Sequence, residues 1–356
     1  MHECALFRRF PQLIERVPWL RLANTPTPVE PLVLETAPPP ASTDDLWIKR
    51  DDLTADVYGG NKVRKLEFLL AAAKARGARR LITVGAAGSH HALATTIYGR
   101  ALGFDVSLIL FPQPLTKHVH DVLLLDQAYG AELRYTRRME LVPAALFAAT
   151  LRYRNEKAFV IPPGGSDATG TLGYVNAALE LVEQIESNQV PQPASVVVAA
   201  GTLGTAAGLA LGFALAGIDT AIKAVRITSR IVTNERVLAR LIRGAAALMR
   251  RAGVHVEAEN EAVARVELLH GHIGAGYGQQ TPAGERATSV FAAQGITLDP
   301  TYTAKAAAAL VDNLHAAAKP VIFWQTLSAA QPAPPRPVDA HALPKPFRDY
   351  ITAATL

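Results

Sequence analysis

Lys62 is the residue of this sequence whose position best suits chemistry. It follows Gly59-Gly60-Asn61 and opens a run of apolar residues at helical spacing: Val63, Leu66, Leu69, Leu70 and Ala73. That spacing predicts a helix from about 61 to 77, ended by Gly77. A cation is disfavoured in the first turn of a helix, because the helix dipole is positive there. A lysine so placed loses its proton more easily, which suits a nucleophile.

Other interpretations of this stretch are possible. Gly-Gly-Asn-Lys can be a plain turn followed by a solvated helix start. A P-loop does not fit, since Val63 stands where that motif needs Ser or Thr and the spaced first glycine is missing. Lys65, one turn further on, points to the same region and is the nearest competitor for the role of Lys62.

A second glycine-rich stretch, 200–209, follows an apolar strand candidate and opens a helix of small residues. Unpaired backbone N–H groups at the positive end of a helix form an anion site, and glycines let the backbone approach the anion. Thr205 can add a hydroxyl donor. A tight turn without a ligand is the alternative. A dinucleotide site is disfavoured, because the Gly-x-Gly-x-x-Gly spacing is absent and the stretch comes late in the chain.

A third stretch, 85–91 (Gly-Ala-Ala-Gly-Ser-His-His), also lies between a strand candidate and a helix candidate. His90 can donate a hydrogen bond through one ring nitrogen and can titrate near neutral pH. A helix N-terminal region without a catalytic role is the alternative interpretation of the paired histidines.

These motifs together resemble one family. The run 48–53 (Ile-Lys-Arg-Asp-Asp-Leu), the Gly-Gly-Asn-Lys stretch and 64–67 (Arg-Lys-Leu-Glu) resemble the pyridoxal 5'-phosphate enzymes that include D-cysteine desulfhydrase and 1-aminocyclopropane-1-carboxylate (ACC) deaminase. The resemblance covers about 25 to 327. It implies that Lys62 carries the cofactor as a Schiff base and that Asn61 belongs to the cofactor site.

The resemblance assigns the other glycine-rich stretches as well. The family's phosphate-binding Gly-Ser-Gly-Gly-Thr corresponds to Gly201, Thr202, Leu203, Gly204 and Thr205. Its Gln-Ser-Asn-His corresponds to 88–91. Ser89 is then expected to position the substrate carboxylate or assist at the reacting carbon, and His90 replaces the asparagine that contacts the cofactor's phenolic oxygen. The stretch 161–174 is expected to be a hinge that re-enters the large domain.

Four later residues receive roles in the same way. Tyr277 and Tyr302 are expected to reach the substrate. Thr303 takes the position facing the pyridine nitrogen, where ACC deaminases carry Glu and desulfhydrases Thr or Ser. Thr326 is the desulfhydrase-type residue of a His-Thr-Gly-Gly motif, from which the neighbours at 325, 327 and 328 depart.

Strand-like and helix-like runs alternate from residue 46 onward, which predicts a parallel α/β architecture. The expected strands are 46–50, 79–85, 105–112, 131–136, 158–162, 195–200, 221–228 and 320–325. The expected helices are 61–77, 91–102, 117–129, 138–153, 171–186, 204–216, 233–252, 282–294 and 303–317. Residues 1–45 are expected to be turn-rich, and the proline-rich tail from Ala329 extended, with a short helix near 346–353.

The resemblance implies the α/β fold type II of this enzyme family. That fold has two three-layer α/β/α domains with mostly parallel sheets and the cofactor in the cleft between them. The expected large domain is 1–64 plus 171–356, and the small domain is 65–170. A homodimer is also implied.

Composition limits the possible partners. With 356 residues, 49% hydrophobic residues and a formal charge of +5, the chain suits a globular protein that holds an anionic cofactor, and we expect no nucleic-acid partner. One cysteine, Cys4, excludes a disulfide within the chain, and we expect neither a signal peptide, a membrane span nor a metal site. The expectation is a cytoplasmic enzyme acting on a small amino acid.

The expected reaction is β-elimination. The resemblance implies that Lys62 removes the Cα proton of an amino acid, that a β-leaving group departs, and that a keto acid and ammonia are released. A hydroxyl at Thr303 favours this branch over ACC ring opening. ACC deamination and a cofactor-binding relative without turnover stay open as alternatives.

Overall fold

The computed structural model describes residues 3–34 and 45–353. They form two units, and each is described by itself. The first unit comprises the described parts of Met1–Phe68 and Ser166–Ala330, and the second those of Leu69–Gly165 and Gln331–Leu356. The predicted turns at 35–44 lie outside the described residues, as do 1–2 and 354–356 of the predicted large domain.

The first unit is built on a six-stranded sheet with the order β1-β2-β10-β7-β8-β9. Only β1 runs antiparallel to its neighbour. The strands are β1 Val29–Pro31, β2 Leu46–Arg50, β7 Ser195–Ala200, β8 Ala221–Arg226, β9 Val266–Leu269 and β10 Val321–Gln325. The helices of this unit are α1 Ala5–Arg9, α6 Ala168–Glu186, α7 Gly204–Ala216, α8 Glu235–Arg251, α9 Glu259–Ala264, α10 Pro282–Ala292 and α11 Thr303–Asn313.

The central strands are apolar throughout because the core continues on both sides of them. In β10, Ile322 and Trp324 belong to the cluster that contains α6 and α7, whereas Phe323 belongs to the cluster that contains α11. Small residues let α7 approach α6 closely: a Cβ added at Gly208 would lie 2.4 Å from the Cβ of Tyr174. The sequence pattern therefore predicted these buried strands correctly.

The second unit has a four-stranded parallel sheet with the order β5-β4-β3-β6. The strands are β3 Arg80–Ala86, β4 Asp105–Phe111, β5 Glu132–Tyr135 and β6 Phe159–Ile161. The helices are α3 His90–Ala101, α4 Lys117–Ala128, α5 Val142–Arg152 and α12 Lys345–Ala353, and α2, Asn61–Ala75, crosses the boundary between the units after Phe68. The ring of Tyr135 packs against Phe347 of α12.

The mostly parallel α/β class is confirmed, and the predicted strands and helices recur with ends shifted by a few residues. Four short elements were missed: α1, α9, β1 and β9. The predicted large domain included the tail, whereas the structure groups the tail from Gln331 with the second unit. The predicted domain limits otherwise stay a prediction. Among the described residues, no helix is long and apolar enough to cross a membrane.

A buried charge network holds the start of α2 in the first unit. Arg64 donates to both carboxylate oxygens of Asp51 (2.9 and 2.6 Å) and to both of Glu180 (2.9 and 3.0 Å). Lys49 also donates to Glu180, at 2.7 Å. Two cations thus face two carboxylates, and Trp324 adds an N–H donor to Asp51 at 2.7 Å. Such a network is costly to break, because removing one partner leaves a charge buried alone.

Candidate functional site

Lys62 lies in the first turn of α2, after a turn that is held from both sides. The backbone nitrogen of Gly60 donates to the carbonyl of Asp51 at 2.9 Å, and that of Asn61 donates to the carbonyl of Thr326 at 3.1 Å. Gly60 has φ +84°, and a Cβ added there would lie 2.6 Å from the Thr326 carbonyl oxygen. Only glycine fits this position, so the Gly-Gly pair sets where Lys62 points.

Lys62 is partly buried. Burial lowers its pKa from 10.5 to about 8, and the nearby Asp299 carboxylate opposes this shift without cancelling it. A lysine with such a pKa has a substantial neutral fraction near pH 7–8, which makes it a competent nucleophile and base.

Residues 201–205 form the turn from β7 into α7. Leu203 has φ +65°, a left-handed conformation that costs a non-glycine residue on the order of 1–2 kcal/mol. Its side chain is nevertheless 2% exposed and belongs to the core, so packing offsets this strain. The turn leaves backbone N–H groups at the start of a helix of 13 residues, an arrangement that favours an anion.

Lys65 brings a cation to this turn. Its Nζ donates to Ser166 Oγ at 3.2 Å, and Ser166 Oγ lies 2.7 Å from the hydroxyl of Thr202. A Cβ added at Gly204 would lie 2.8 Å from the same Nζ. The pKa of Lys65 is well below its ordinary value, first because of burial and then because of Lys62. A bound anion would favour the charged amine here.

Asn61 links the lysine helix to the same turn. Its Nδ2 donates to the Thr205 hydroxyl oxygen at 3.2 Å. The predicted cofactor residues Asn61, Lys62 and 201–205 are therefore neighbours within one unit. Lys62, Lys65 and the turn can together hold a molecule that carries an aldehyde at one end and a phosphate at the other.

Tyr277 and Tyr302 form a hydroxyl pair. The two hydroxyls are hydrogen-bonded to each other, and the rings meet edge to face. Burial raises the pKa of Tyr277 to about 12 and that of Tyr302 well above 10, so both stay protonated at neutral pH. The Tyr302 ring lies 3.8 Å from a Cβ added at Gly201, which places the pair beside the 201–205 turn.

Lys305 positions the loop that carries Tyr277. Its Nζ donates to the carbonyl of Ile273 at 2.8 Å and to that of Gly276 at 3.0 Å. Lys305 lies less than one turn beyond Tyr302 in α11, so one helix positions both tyrosines.

Asp299 caps the start of α11 and engages Thr303. Its Oδ2 accepts from the backbone of Tyr302 at 2.8 Å, and its Oδ1 accepts the Thr303 hydroxyl at 2.7 Å. The same hydroxyl accepts from the Asp299 nitrogen at 2.7 Å. The Thr303 hydroxyl therefore has to give up its hydrogen bond to Asp299 before it can donate to a pyridine nitrogen. The predicted role of Thr303 stays a prediction.

The residues around Thr326 that differ from the family's motif make hydrogen bonds in this structure. Gln325, in place of the family's histidine, donates to the Thr297 carbonyl at 2.7 Å. Ser328, in place of a glycine, accepts a hydrogen bond of 2.7 Å from the backbone nitrogen of Gly59. The Thr326 carbonyl accepts the hydrogen bond from the backbone nitrogen of Asn61 that is described above. This motif therefore supports the lysine turn, although its residue types differ from those of the family.

The second unit carries Ser89 and His90. Ser89 is the N-cap of α3, and its Oγ accepts from the backbone of Ala92 at 3.2 Å, which leaves its hydrogen able to donate elsewhere. The His90 ring stacks against that of His118 with centroids 4.6 Å apart. Ser89 thus caps a helix, and the alternative for the paired histidines, a helix N-terminal region without a catalytic role, stays open.

His91 has a local partner. Its Nε2 lies 3.0 Å from Thr83 Oγ1, whose own hydrogen donates to the Ile161 carbonyl at 2.9 Å. The bond between His91 and Thr83 ties the start of α3 to β3.

Sequence reasoning missed three residues of the site: Ser166, Asp299 and Ser328. Asp299 had a signal, since Asp four residues before Thr303 at a helix start is a capping pattern. Ser166 and Ser328 had none, because their partners lie far away in the chain.

Comparison with known proteins identifies the family of this chain. A family model described as pyridoxal-phosphate dependent enzyme matches residues 20–323. A Pyrococcus horikoshii protein, named provisionally as an ACC deaminase, is 39% identical over 322 residues, which are 86% of this chain and 88% of that protein. A D-cysteine desulfhydrase of Salmonella typhi is 36% identical over 317 residues, 85% of this chain and 90% of the relative.

Solved structures show the same fold. The crystal structure of an ACC deaminase homologue matches with a TM-score of 0.76 and 35% identity, over 93% of this chain and 96% of that one. A threonine deaminase structure matches with a TM-score of 0.59 at 17% identity, which supports the fold alone.

Proposed function

The chain belongs to the family of pyridoxal-phosphate dependent enzymes, and on that premise we propose that it is a β-eliminating lyase of the D-cysteine desulfhydrase type. Its cofactor is pyridoxal 5'-phosphate. The proposed substrate is a small amino acid with a β-leaving group, and the products are a keto acid and ammonia.

One observation carries the proposal. The Lys62 amine, with a pKa lowered to about 8, lies in the same unit as an anion-binding turn and a pair of protonated tyrosines. These groups suit a phosphorylated aldehyde: the aldehyde would meet the Lys62 amine, the phosphate would meet the turn, and the substrate would lie beside the tyrosine hydroxyls. We propose that Lys62 is the attachment lysine. Gly201, Thr202, Leu203, Gly204 and Thr205, with Lys65, are the proposed holders of the phosphate.

The bound cofactor supplies an electron-withdrawing ring that stabilises negative charge at the substrate Cα. Lys62 can take the Cα proton, because its amine is easily deprotonated. Tyr302 and Tyr277 keep their hydroxyl protons at neutral pH, because burial raises the pKa of both. We propose that they assist the departing group. Ser89 is the proposed anchor of the substrate carboxylate, and His90 the proposed partner of the phenolic oxygen.

The choice of reaction rests on Thr303. A hydroxyl at this position cannot stabilise a protonated pyridine nitrogen as a carboxylate can, and the Thr303 hydroxyl donates its hydrogen to Asp299. The ring then withdraws electrons less strongly. A good leaving group compensates for this, whereas opening a cyclopropane ring does not, so we favour β-elimination over ACC ring opening.

The test is keto-acid release from D-cysteine, β-chloro-D-alanine and ACC, measured side by side with cofactor-loaded enzyme. We expect pyruvate from the first two substrates and little or no keto acid from ACC. Turnover of ACC at rates matching D-cysteine would overturn the choice. If no amino acid reacts while the cofactor stays bound, the chain is a cofactor-binding relative without turnover.

Two further properties are proposed from the family. The first is a homodimer. The second is a cytoplasmic location, which suits a chain whose one cysteine, Cys4, allows no disulfide within it. Its thiol is buried, donates to the Asn176 side chain at 3.3 Å and has a pKa raised by burial to about 12. Such a thiol is suited to a structural role rather than to oxidation.

A further inference from the structure

Helix α5, Val142–Arg152, is apolar except for Thr150 and the terminal Arg152. From Leu141 to Leu151 the sequence is Leu-Val-Pro-Ala-Ala-Leu-Phe-Ala-Ala-Thr-Leu, in which Thr150 alone is polar. A surface helix normally directs polar side chains to water, whereas a helix that is hydrophobic all round is buried. The composition of α5 therefore indicates two covered faces.

One face is covered by the second unit's own sheet. Val142, Ala145 and Leu146 pack against a buried cluster that includes Ala149 and the β3 residue Ile82. These positions have the spacing of one helix face, as expected for a helix on a parallel sheet.

The opposite face is exposed. Phe147 is 66% exposed, Leu141 50% and Leu151 49%, and Ala144 and Ala148 complete the same stripe. With Met139, this segment holds four of the ten large hydrophobic side chains that are exposed in the described residues. Concentration of apolar side chains in one patch marks an interaction surface, whereas scattered ones do not.

We propose that this face of α5 is the surface through which two copies of the chain associate, with their α5 helices antiparallel about a two-fold axis level with Leu146. The proposal rests on the homodimer proposed above and names its surface, and it does not depend on the reaction. In this register Leu141 lies level with the partner copy's Leu151, and Ala144 with its Ala148. Paired alanines allow the helices to approach closely, with Phe147 packed beside them.

The charged residues at the two ends of the stripe also fit a second copy of the chain in the antiparallel register. Glu140 is exposed just before α5, and Arg152 is exposed at its end. The antiparallel register brings Glu140 of each copy level with Arg152 of the other, whereas a parallel pair would bring Arg152 level with Arg152. Opposite charges at the rim set register and orientation.

The first experiment is the molar mass of the cofactor-loaded protein by light scattering. Wild type is expected at twice 38.0 kDa. Phe147→Glu combined with Leu151→Glu is expected to raise the dimer dissociation constant at least ~100-fold, because it buries unpaired carboxylates. Ile231→Glu changes a side chain that is 87% exposed in the first unit and is expected to leave the mass unchanged. Melting curves verify that each variant is folded.

The second experiment tests the register. Glu140→Arg is expected to weaken the dimer about tenfold, and Arg152→Glu in the same chain is expected to restore it, since each pair then has opposite charges again. Cysteines at both 144 and 148 are expected to cross-link two copies under oxidation. Either cysteine alone is not, because its partner is four residues away.

Each contrary outcome is distinct. A wild-type monomer overturns the proposal, and binding of that monomer to vesicles of anionic lipid would assign the face to a membrane instead. If the variant with both Phe147→Glu and Leu151→Glu is still a dimer, the two copies associate through another surface and the role of α5 is overturned. Cross-linking by a single cysteine overturns the antiparallel register. Keto-acid release is scored separately, so failure of the proposed reaction does not affect these results.

Discussion

The hydroxyl of Ser328 accepts a hydrogen bond of 2.7 Å from the backbone nitrogen of Gly59, three residues before the proposed attachment lysine. Both residues are buried, and Ser328 donates its own hydrogen to the Ala330 carbonyl at 2.8 Å. The resembled family has glycine at this position and lacks such a hydroxyl. Ser328 is therefore a feature of this chain that holds the turn before Lys62.

Ser328→Ala is expected to leave the Gly59 N–H buried without its acceptor, which costs about 1–3 kcal/mol of unfolding free energy. Looser placement of Lys62 should also weaken cofactor retention. Urea unfolding and titration of the visible absorbance with cofactor measure the two effects. Ser289→Ala is the control, since that exposed serine donates only to its own helix at Glu285. Equal behaviour of the two variants would remove Ser328 from the site.

Lys62 should react with the cofactor in a pH-dependent way. Its pKa is lowered to about 8, so the protonated, unreactive form prevails below that pH and the neutral amine above it. The rate of covalent attachment to enzyme freed of cofactor should rise with pH around a midpoint near 8, not near 10.5. Stopped-flow absorbance gives this profile.

The competing lysine provides the control for this profile. Lys62→Ala should abolish covalent attachment, whereas Lys65→Met should keep attachment and lower affinity, because it removes a cation beside Gly204. Borohydride reduction and peptide mass spectrometry locate the bond. A label on Lys65 would contradict both assignments.

Gly204→Asp tests the proposed binding of phosphate by the 201–205 turn. Its Cβ would lie 2.5 Å from Ser166 Oγ and 2.8 Å from Lys65 Nζ, and its carboxylate would repel a phosphate. We expect loss of cofactor retention by at least ~100-fold in affinity. Gly271→Asp is the matched control, since nothing lies within 4 Å of an added Cβ there. Undiminished affinity in Gly204→Asp would refute the phosphate assignment.

Asp126 makes stability depend on pH. Burial raises its pKa from 3.8 to about 8, although Thr96 Oγ1 lies 2.9 Å from one carboxylate oxygen. The folded state therefore binds a proton that the unfolded state releases, and this stabilisation is full below about pH 4 and lost as pH rises towards 8. Asp126→Asn should raise the unfolding free energy at pH 8 by ~1–3 kcal/mol and much less at pH 4.

Urea unfolding at the two pH values measures the effect. Asp121→Asn, on the same helix but only half-buried and paired with Lys117 at 2.6 Å, is the control and should show no such gain. A gain at pH 8 that equals the gain at pH 4 would contradict the raised pKa of Asp126.

The sequence by itself determined the features that depend on neighbours in the chain. The helix start at Lys62, the glycine turn at 201–205 and the alternation of strands and helices all follow from local spacing, because glycine geometry and hydrophobic periodicity act over a few residues. The short strands β1 and β9 have too few residues to show a hydrophobic period. Only their pairing with β2 and β8 in the folded sheet identifies them as strands.

Only the tertiary structure decided how the site is held. Ser328 meets Gly59 across 269 residues of sequence, Trp324 meets Asp51 across 273, and Arg64 meets Glu180 across 116. No local pattern specifies such pairs, because each forms only when the sheet brings distant segments together. The same holds for Lys65, whose burial and approach to Ser166 distinguish it from Lys62 on the same helix.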